Sequence, residues 1–252
     1  MTVALRAEAR KLTTTQVLFW MVVLVVGLSL LIAGLTAGLT GTDDAGPPPM
    51  EQLINGTVGL AVLISSVLGV IGVTGEYRHL TATPTFLSVP HRGTVITAKM
   101  ITYAITGLIL GALAVVVPIL VAAPWLNARG FDADLGSDAM MRIIVGGIIA
   151  SGIWGVIGVG FGALLRNQIA AVVGILLYRF LVEGILASIP KVQEAFPYLP
   201  GGATASLLAT SDTDTGGGFD LLSPWVGGGL LLAYGVVFAV VASLLTVRRD
   251  VT

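Results

Sequence analysis

The chain contains no cysteine among its 252 residues, and only 11% of its positions are charged. Without cysteine there can be no disulfide, no thiolate nucleophile and no cysteine-ligated metal. A hydrophobic share of 55% and a mean hydropathy of +0.95 are too high for an ordinary soluble domain. The scarcity of charge predicts an all-α integral membrane protein, with a single transmembrane domain over residues 1–252.

Lysine is scarce as well, and none of Lys11, Lys99 and Lys191 follows a glycine. The phosphate-binding loop of a nucleotide hydrolase ends in Gly-Lys-Ser/Thr, so the chain has no such loop. No basic cluster of the size that binds nucleic acid occurs either. We therefore expect neither ATP hydrolysis by this chain nor a nucleic-acid partner.

Histidine and aspartate are absent from every long apolar run, which excludes a membrane-embedded paired-aspartate or nucleophile–base site. The two histidines, His79 and His91, are separated by two prolines and form no His-Glu-x-x-His pattern. We expect solvated loop histidines rather than metal ligands. The sequence thus predicts no catalytic residues, no metal site and no cofactor in this chain.

Six apolar runs are long enough to cross a bilayer, which requires about 20 residues in a helix. They cover residues 17–40, 53–74, 100–123, 141–165, 169–189 and 224–247. Nine lysines and arginines lie on the side of the termini against three acids, whereas the other side has three against ten. This bias predicts cytoplasmic termini and a cytoplasmic segment 76–99. The preference for arginine over lysine, with abundant alanine, glycine and valine, suggests a multi-pass protein of a bacterial plasma (inner) membrane.

Short helices are predicted on both sides of the spans. In residues 1–16, Leu5, Ala9 and Leu12 recur at helical spacing apart from the arginines, which favours an interfacial elbow helix over a free tail. Between the last two spans, the outer segment 190–222 holds apolar pieces too short to cross. They are typical of re-entrant or interfacial helices, either as a lid over an outer opening or as a docked loop.

Small residues recur four apart in the spans and allow close approach of helix backbones in lipid. Such positions serve either packing inside one bundle or a dimer interface. The clearest sets are Gly34 with Gly38, Gly158 with Gly162, and 227–229.

Near the middle of the fifth apolar run, Tyr178-Arg179 precedes Glu183. Because each charge costs about 2.5–3.5 kcal/mol in a membrane helix, less for a hydrated glutamate, neither is expected to face lipid. Their i, i+4 spacing predicts an intramembrane polar pair. That pair is either a structural ion pair or a polar contact lining a translocation path or a subunit interface.

The cytoplasmic segment 76–99 is longer than a turn requires. Glu76 lies at the C-terminal end of the second span, where the helix dipole disfavours an acid. We therefore expect Glu76 to have a cationic partner. Thr83-Pro84 predicts the start of a short helix that presents Phe86 and Leu87 before Pro90. This apolar pair either fits a groove in another protein or packs against the chain's own helix ends.

The segment resembles the cytoplasmic loop of the permease subunits of type-2 ABC exporters, whose membrane fold is shared with ABCG-like transporters. The elbow, six spans and outer segment follow the same plan. The chain departs from the pattern at Leu80, where a glycine is common, and by the extra Pro84. The residues that carry the resemblance are Glu76, Arg78, Thr81, Phe86, Leu87, Pro90, Arg92 and Lys99.

The resemblance implies that these residues couple the chain to cytoplasmic ABC ATPase subunits, which bind ATP and magnesium. It also implies a second permease copy or homologue, and outward movement of a small amphipathic substrate by alternating access. One alternative is a stand-alone secondary carrier or channel, which usually carries mid-bilayer charges or broken helices in two related halves. Another is a membrane anchor or immunity-type protein, which would leave the long segment unexplained.

Overall fold

The computed structural model describes residues 1–39, 50–79, 92–128, 135–165, 167–189, 191–208 and 220–248, with backbone only at 39, 92 and 245–248. All regular structure in these ranges is helical, which confirms the all-α prediction. In chain order it comprises α1 (Thr2–Thr14), α2 (Gln16–Leu39), α3 (Met50–Arg78), α4 (Arg92–Ala128), α5 (Asp138–Leu165), α6 (Gln168–Leu177), a π-helical turn (Tyr178–Val182), α7 (Glu183–Ser188), a 3₁₀ helix (Gln193–Tyr198), α8 (Pro200–Leu208) and α9 (Pro224–Arg248).

Six helical stretches in the described ranges are long and apolar enough to cross a membrane, which confirms the prediction of a multi-pass membrane protein. The helices extend further into the polar segment than the apolar runs do. α3 continues to Arg78 and α4 begins at Arg92, because Val95 and Ile96 are buried and keep the first turns of α4 packed. The spanning stretches are Gln16–Gly38, Met50–Arg78, Gly93–Ala128, Asp138–Leu165, Gln168–Ser188 and Pro224–Leu244.

The centre of the bundle is formed by α3 and α5, whose spanning windows are 61% and 67% buried against 17% in the first and fifth spans. Glycines set their separation: a Cβ at Gly158 would overlap the carbonyl oxygen of Ser66, and one at Gly162 would lie 2.9 Å from that of Val70. Packing inside the bundle is therefore confirmed for this pair. A Cβ at Gly34 meets no atom within 4 Å, so its alternative role at a dimer interface stays open.

A proline in α4 is accommodated by a hydrogen bond from α3. Pro118 lacks the N–H that would otherwise bond to the carbonyl oxygen of Ala114. The buried hydroxyl of Thr57 donates to that oxygen instead, at 2.7 Å. Such replacement of a lost backbone partner is what allows proline inside a membrane helix.

The two ends of the bundle differ in what covers them. Because successive spans alternate in direction, the start of α4 and the end of α3 lie together, and α1 packs against them with ion pairs. We call this the α1 end. The opposite end, the far end, holds the start of α5 together with α8 and the start of α9.

Candidate functional sites at the two ends of the bundle

Four charged side chains from three helices form one cluster at the α1 end. Lys99 of α4 lies 2.7 Å from Glu8 Oε2 of α1 and 2.8 Å from Glu76 Oε1 of α3. Lys11 of α1 lies 2.9 Å from Glu8 Oε1 and 2.7 Å from Glu76 Oε1. Each carboxylate therefore contacts both ammonium groups. We call Glu8, Lys11, Glu76 and Lys99 the charge cluster.

The charge cluster is buried at Lys99 and Glu8, whose side chains are 2% and 5% exposed, and opens to water at Lys11, which is 44% exposed. Burying a charge is costly unless it is paired, and the two charges of each sign supply the pairing here. Partial burial by itself lowers the pKa of Lys11, but hydrogen bonds and charge from Glu76 and Glu8 outweigh it and raise the pKa above its ordinary value of 10.5.

The face of α1 that packs on the bundle is not the face that carries Leu5 and Ala9. The structure buries Ala4, Glu8 and Leu12, whereas Leu5 is half-buried and Ala9 is exposed. A glutamate occupies the centre of the packed face, and the interfacial position of α1 stays a prediction. The ion pair of Glu8 with Lys99 offsets the cost of burying the carboxylate.

The structure brings together two of the predicted coupling residues and separates a third from them. Glu76 and Lys99 bind each other, and the cationic partner expected for Glu76 is therefore confirmed. Arg78 is exposed and donates to Gln168 Oε1 at 3.2 Å, at the start of α6. Arg92 begins α4, but its side chain is not described. Thr81, Phe86, Leu87 and Pro90 lie outside the described residues.

Sequence reasoning missed Glu8 and Lys11. The available signal was an acid within an N-terminal stretch that is otherwise basic, together with a lysine three residues later. Glu8 lies four residues after Ala4 and four residues before Leu12, so it shares a helix face with apolar residues. A carboxylate on such a face indicates a buried charge that needs a partner from another helix.

A cavity of about 460 Å³ adjoins the charge cluster. Its walls come from α1, α3 and α4, and from the first residues of α2 and α6. Asn167 fixes the start of α6 by accepting a hydrogen bond from the N–H of Ala170 at 3.0 Å, which holds Gln168 at the mouth of the cavity.

The intramembrane polar pair belongs to the second candidate site, in the far half of the bundle. Arg179 Nη1 lies 2.6 Å from Glu183 Oε2, so the predicted i, i+4 pair is confirmed as a contact. The other oxygen of Glu183 accepts the backbone N–H of Gly201 at 2.8 Å. Gly201 is in the first turn of α8, where unpaired N–H groups and the helix dipole favour a carboxylate. Glu183 thus binds α8 to the fifth span.

Two local features allow this contact. The π-helical turn Tyr178–Val182 interrupts the fifth span immediately before Glu183, and such turns often mark functional positions. A Cβ at Gly201 would overlap Glu183 Oε2. With a larger residue at this position, the carboxylate would have to move away from the N–H that donates to it. The second site therefore combines a π-helical turn in the fifth span with a glycine at the start of α8.

The described residues contain no group of three histidine, aspartate or glutamate side chains that could hold a metal ion. What both sites can do chemically is hold helices together through charge. The first joins α1, α3 and α4, and the second joins the fifth span to α8.

A scan against protein-family models finds no match for this chain, and a search of curated proteins finds none either. The functional assignment therefore depends on the residues and their geometry.

Proposed function

We propose that the chain is the membrane permease subunit of an ATP-driven exporter of the type-2 ABC class, in a bacterial plasma membrane. It moves a small amphipathic substrate, such as a drug or a lipid, outward by alternating access. Separate cytoplasmic ATPase subunits bind ATP and magnesium, and a second permease copy or homologue completes the translocator. The α1 end faces the cytoplasm with α1 as the elbow, and α8 is a re-entrant helix on the outer side.

The observation that carries this proposal is the position of the charge cluster. Glu76 and Lys99 mark the two limits of the polar segment and bind each other at 2.8 Å, and Glu8 adds α1 to the same contact. A force on the segment reaches three helices through one set of ion pairs. This arrangement fits a device that transmits motion from a cytoplasmic engine to the spans.

Coupling is tested by ATPase stimulation. The wild-type permease should co-purify with an ATP-hydrolysing subunit and raise its turnover. The variant Phe86→Asp with Leu87→Asp should abolish transport and stimulation while membrane insertion is retained, because two charges cannot enter an apolar groove. The matched control, Ala82→Asp with Ser88→Asp, adds the same charges to the same segment but keeps Phe86 and Leu87, and should retain stimulation.

Two results would contradict the proposal: a wild-type permease that purifies without any ATPase, or full stimulation by the Phe86→Asp, Leu87→Asp variant.

Sidedness is tested separately, since a chain without cysteine allows single thiols to be placed freely. In intact cells, Ser88→Cys should resist an impermeant maleimide and react only after the membrane is opened. Ser211→Cys, in the outer segment, should react at once. Labelling of Ser88→Cys from the medium would place the polar segment outside, where no cytoplasmic ATPase could reach it.

A further inference from the structure

The lining of the cavity at the α1 end combines apolar and polar side chains. The apolar residues include Leu12 of α1, Val17 of α2 and Leu68 of α3. The charged and polar residues include Lys11, Arg78 and His79. Its volume of about 460 Å³ is within the range of roughly 300–1,000 Å³ typical of small-molecule sites.

The charge of the lining favours an anion. Among the described residues around the cavity, three cations face two carboxylates, and His79 adds a ring that can donate a hydrogen bond. Both carboxylates, Glu8 and Glu76, are engaged by the lysines of the charge cluster. Arg78 contacts the neutral amide oxygen of Gln168, a partner that does not compensate its positive charge.

The location of the cavity favours an amphiphilic ligand over a freely soluble anion. α1 begins before the first span and packs across the ends of α3 and α4, so the cavity lies where the spans meet water. The apolar residues of the lining favour a ligand with an apolar part, and Arg78 favours one with an anionic group. Arginine matches phosphate oxygens with paired N–H donors, and cationic pockets at the ends of spans bind phosphate headgroups.

We propose that this cavity binds the phosphate headgroup of an amphiphile from the leaflet next to the α1 end, with Arg78 as the main headgroup contact and Lys11 and His79 beside it. The acyl portion lies against Val17 and Leu68. The proposal does not depend on export, on the ATPase or on which side of the membrane the α1 end faces.

Native mass spectrometry of the purified full-length chain in detergent tests the proposal. The probes are dioleoyl phosphatidic acid, dioleoylglycerol, which has the same chains without phosphate, and inorganic phosphate. Wild type should bind phosphatidic acid about ten-fold more tightly than dioleoylglycerol, and inorganic phosphate should not displace it at equal concentration. Arg78→Gln should weaken phosphatidic acid binding about ten-fold, as expected for loss of one charge-assisted contact. Arg10→Gln, on the exposed face of α1, removes the same charge and should leave binding unchanged.

A cavity-filling pair of variants locates the site. A Cβ at Gly75, which lines the cavity, meets no atom within 4 Å, so Gly75→Phe should fill the space and abolish binding. Gly59→Phe is the matched control, since Gly59 lies in the same helix, is exposed, and also has open space at its Cβ. If Gly75→Phe does not fold, Arg78→Gln still decides the question because it replaces an exposed side chain.

Three results would overturn the proposal. Equal binding of dioleoylglycerol would remove headgroup recognition. Wild-type affinity in Arg78→Gln or in folded Gly75→Phe would place the lipid elsewhere, and displacement by equimolar inorganic phosphate would assign the site to a free anion. Each of these results is compatible with ATPase stimulation by the wild-type permease, and a permease that gives no stimulation could still bind the lipid. The two proposals therefore fail separately.

Discussion

Both candidate sites depend on a buried glutamate, but they use it in different ways. Glu183 pairs with a residue four positions earlier in the same span and with one backbone N–H from α8. Glu8 and Glu76 share Lys11 and Lys99, and three of these four ion pairs join different helices, up to 91 residues apart in the chain. The far-end site is thus mainly local, whereas the charge cluster holds three helices together.

This difference determines how each site fails. The Arg179 side chain is 31% exposed at the surface of the bundle and can reorient if its partner is removed, whereas the Lys99 side chain is 2% exposed and is enclosed by protein. The cost of breaking an ion pair depends on whether the remaining charge can be solvated. The charge cluster should therefore be the more fragile of the two.

The largest effect is expected for Lys99→Met, which leaves the carboxylates of Glu8 and Glu76 with Lys11 as the one lysine in the cluster. We expect a loss of about 3–5 kcal/mol in the free energy of unfolding, measured by denaturant titration in detergent micelles. Lys191→Met, outside the charge cluster and exposed, should be neutral. Adding Glu8→Gln to Lys99→Met restores charge balance and should recover about half of the loss. Wild-type stability of Lys99→Met would show that the cluster does not hold the helices together.

A smaller loss, about 2–3 kcal/mol, is expected for Glu183→Ala, which leaves both Arg179 and the N–H of Gly201 without their acceptor. The same unfolding measurement should give a smaller loss for Arg179→Leu, because Glu183 keeps its bond to α8. If Arg179→Leu is the more damaging, Glu183 does not anchor α8.

The double variant Arg179→Leu, Glu183→Gln separates the two interpretations of the far-end pair. It removes both charges but keeps an amide oxygen for Gly201, so stability should return to within about 1 kcal/mol of wild type. Full transport by this variant would identify a structural ion pair. Lost transport at preserved stability would place the charges on the translocation path or at a subunit interface.

Gly201→Ala tests the glycine requirement with a single methyl group. Its Cβ overlaps Glu183 Oε2, and overpacking of this kind costs about 1–3 kcal/mol. Gly184→Ala is the control, since a Cβ there meets nothing within 4 Å and alanine favours the helix. Equal stability of the two variants would mean that the approach of Glu183 to α8 is not this close.

The smallest effect concerns alkaline pH. Because the folded pKa of Lys11 lies above its ordinary value of 10.5, its contribution to stability is fully present below that value and is lost as pH rises through the folded pKa. Between pH 10 and 11.5, the thermal midpoint of wild type should fall more than that of Lys11→Gln, by a margin that shrinks with added salt. Parallel curves would contradict the assigned ion pairs.

The spans and the local pair could be predicted from the sequence. The bilayer requires about 20 apolar residues per helix, so hydropathy alone locates six spans. The Arg179–Glu183 contact follows from i, i+4 geometry. Glu76 indicated a cationic partner through its place at a helix end, although not which cation.

The charge cluster as a whole could not be predicted. In lipid, apolar residues surround a helix on all sides, so hydropathy does not encode which face packs on which neighbour. Nothing local connects Glu8 with Lys99, which lie 91 residues apart. The hydrogen bond from the N–H of Gly201 to Glu183 could not be predicted either, because it requires α8 to lie close to the fifth span. The missing Cβ of Gly201 allows this distance.

The hydroxyl that Thr57 offers to Ala114 gives α3 and α4 a second attachment, distant from the bond between Glu76 and Lys99. Along α4, the two attachments are fifteen residues apart, about 22 Å at the rise of an α-helix. Two antiparallel helices that are joined at two separated points resist pivoting about either point. We therefore expect α3 and α4 to move as one rigid unit.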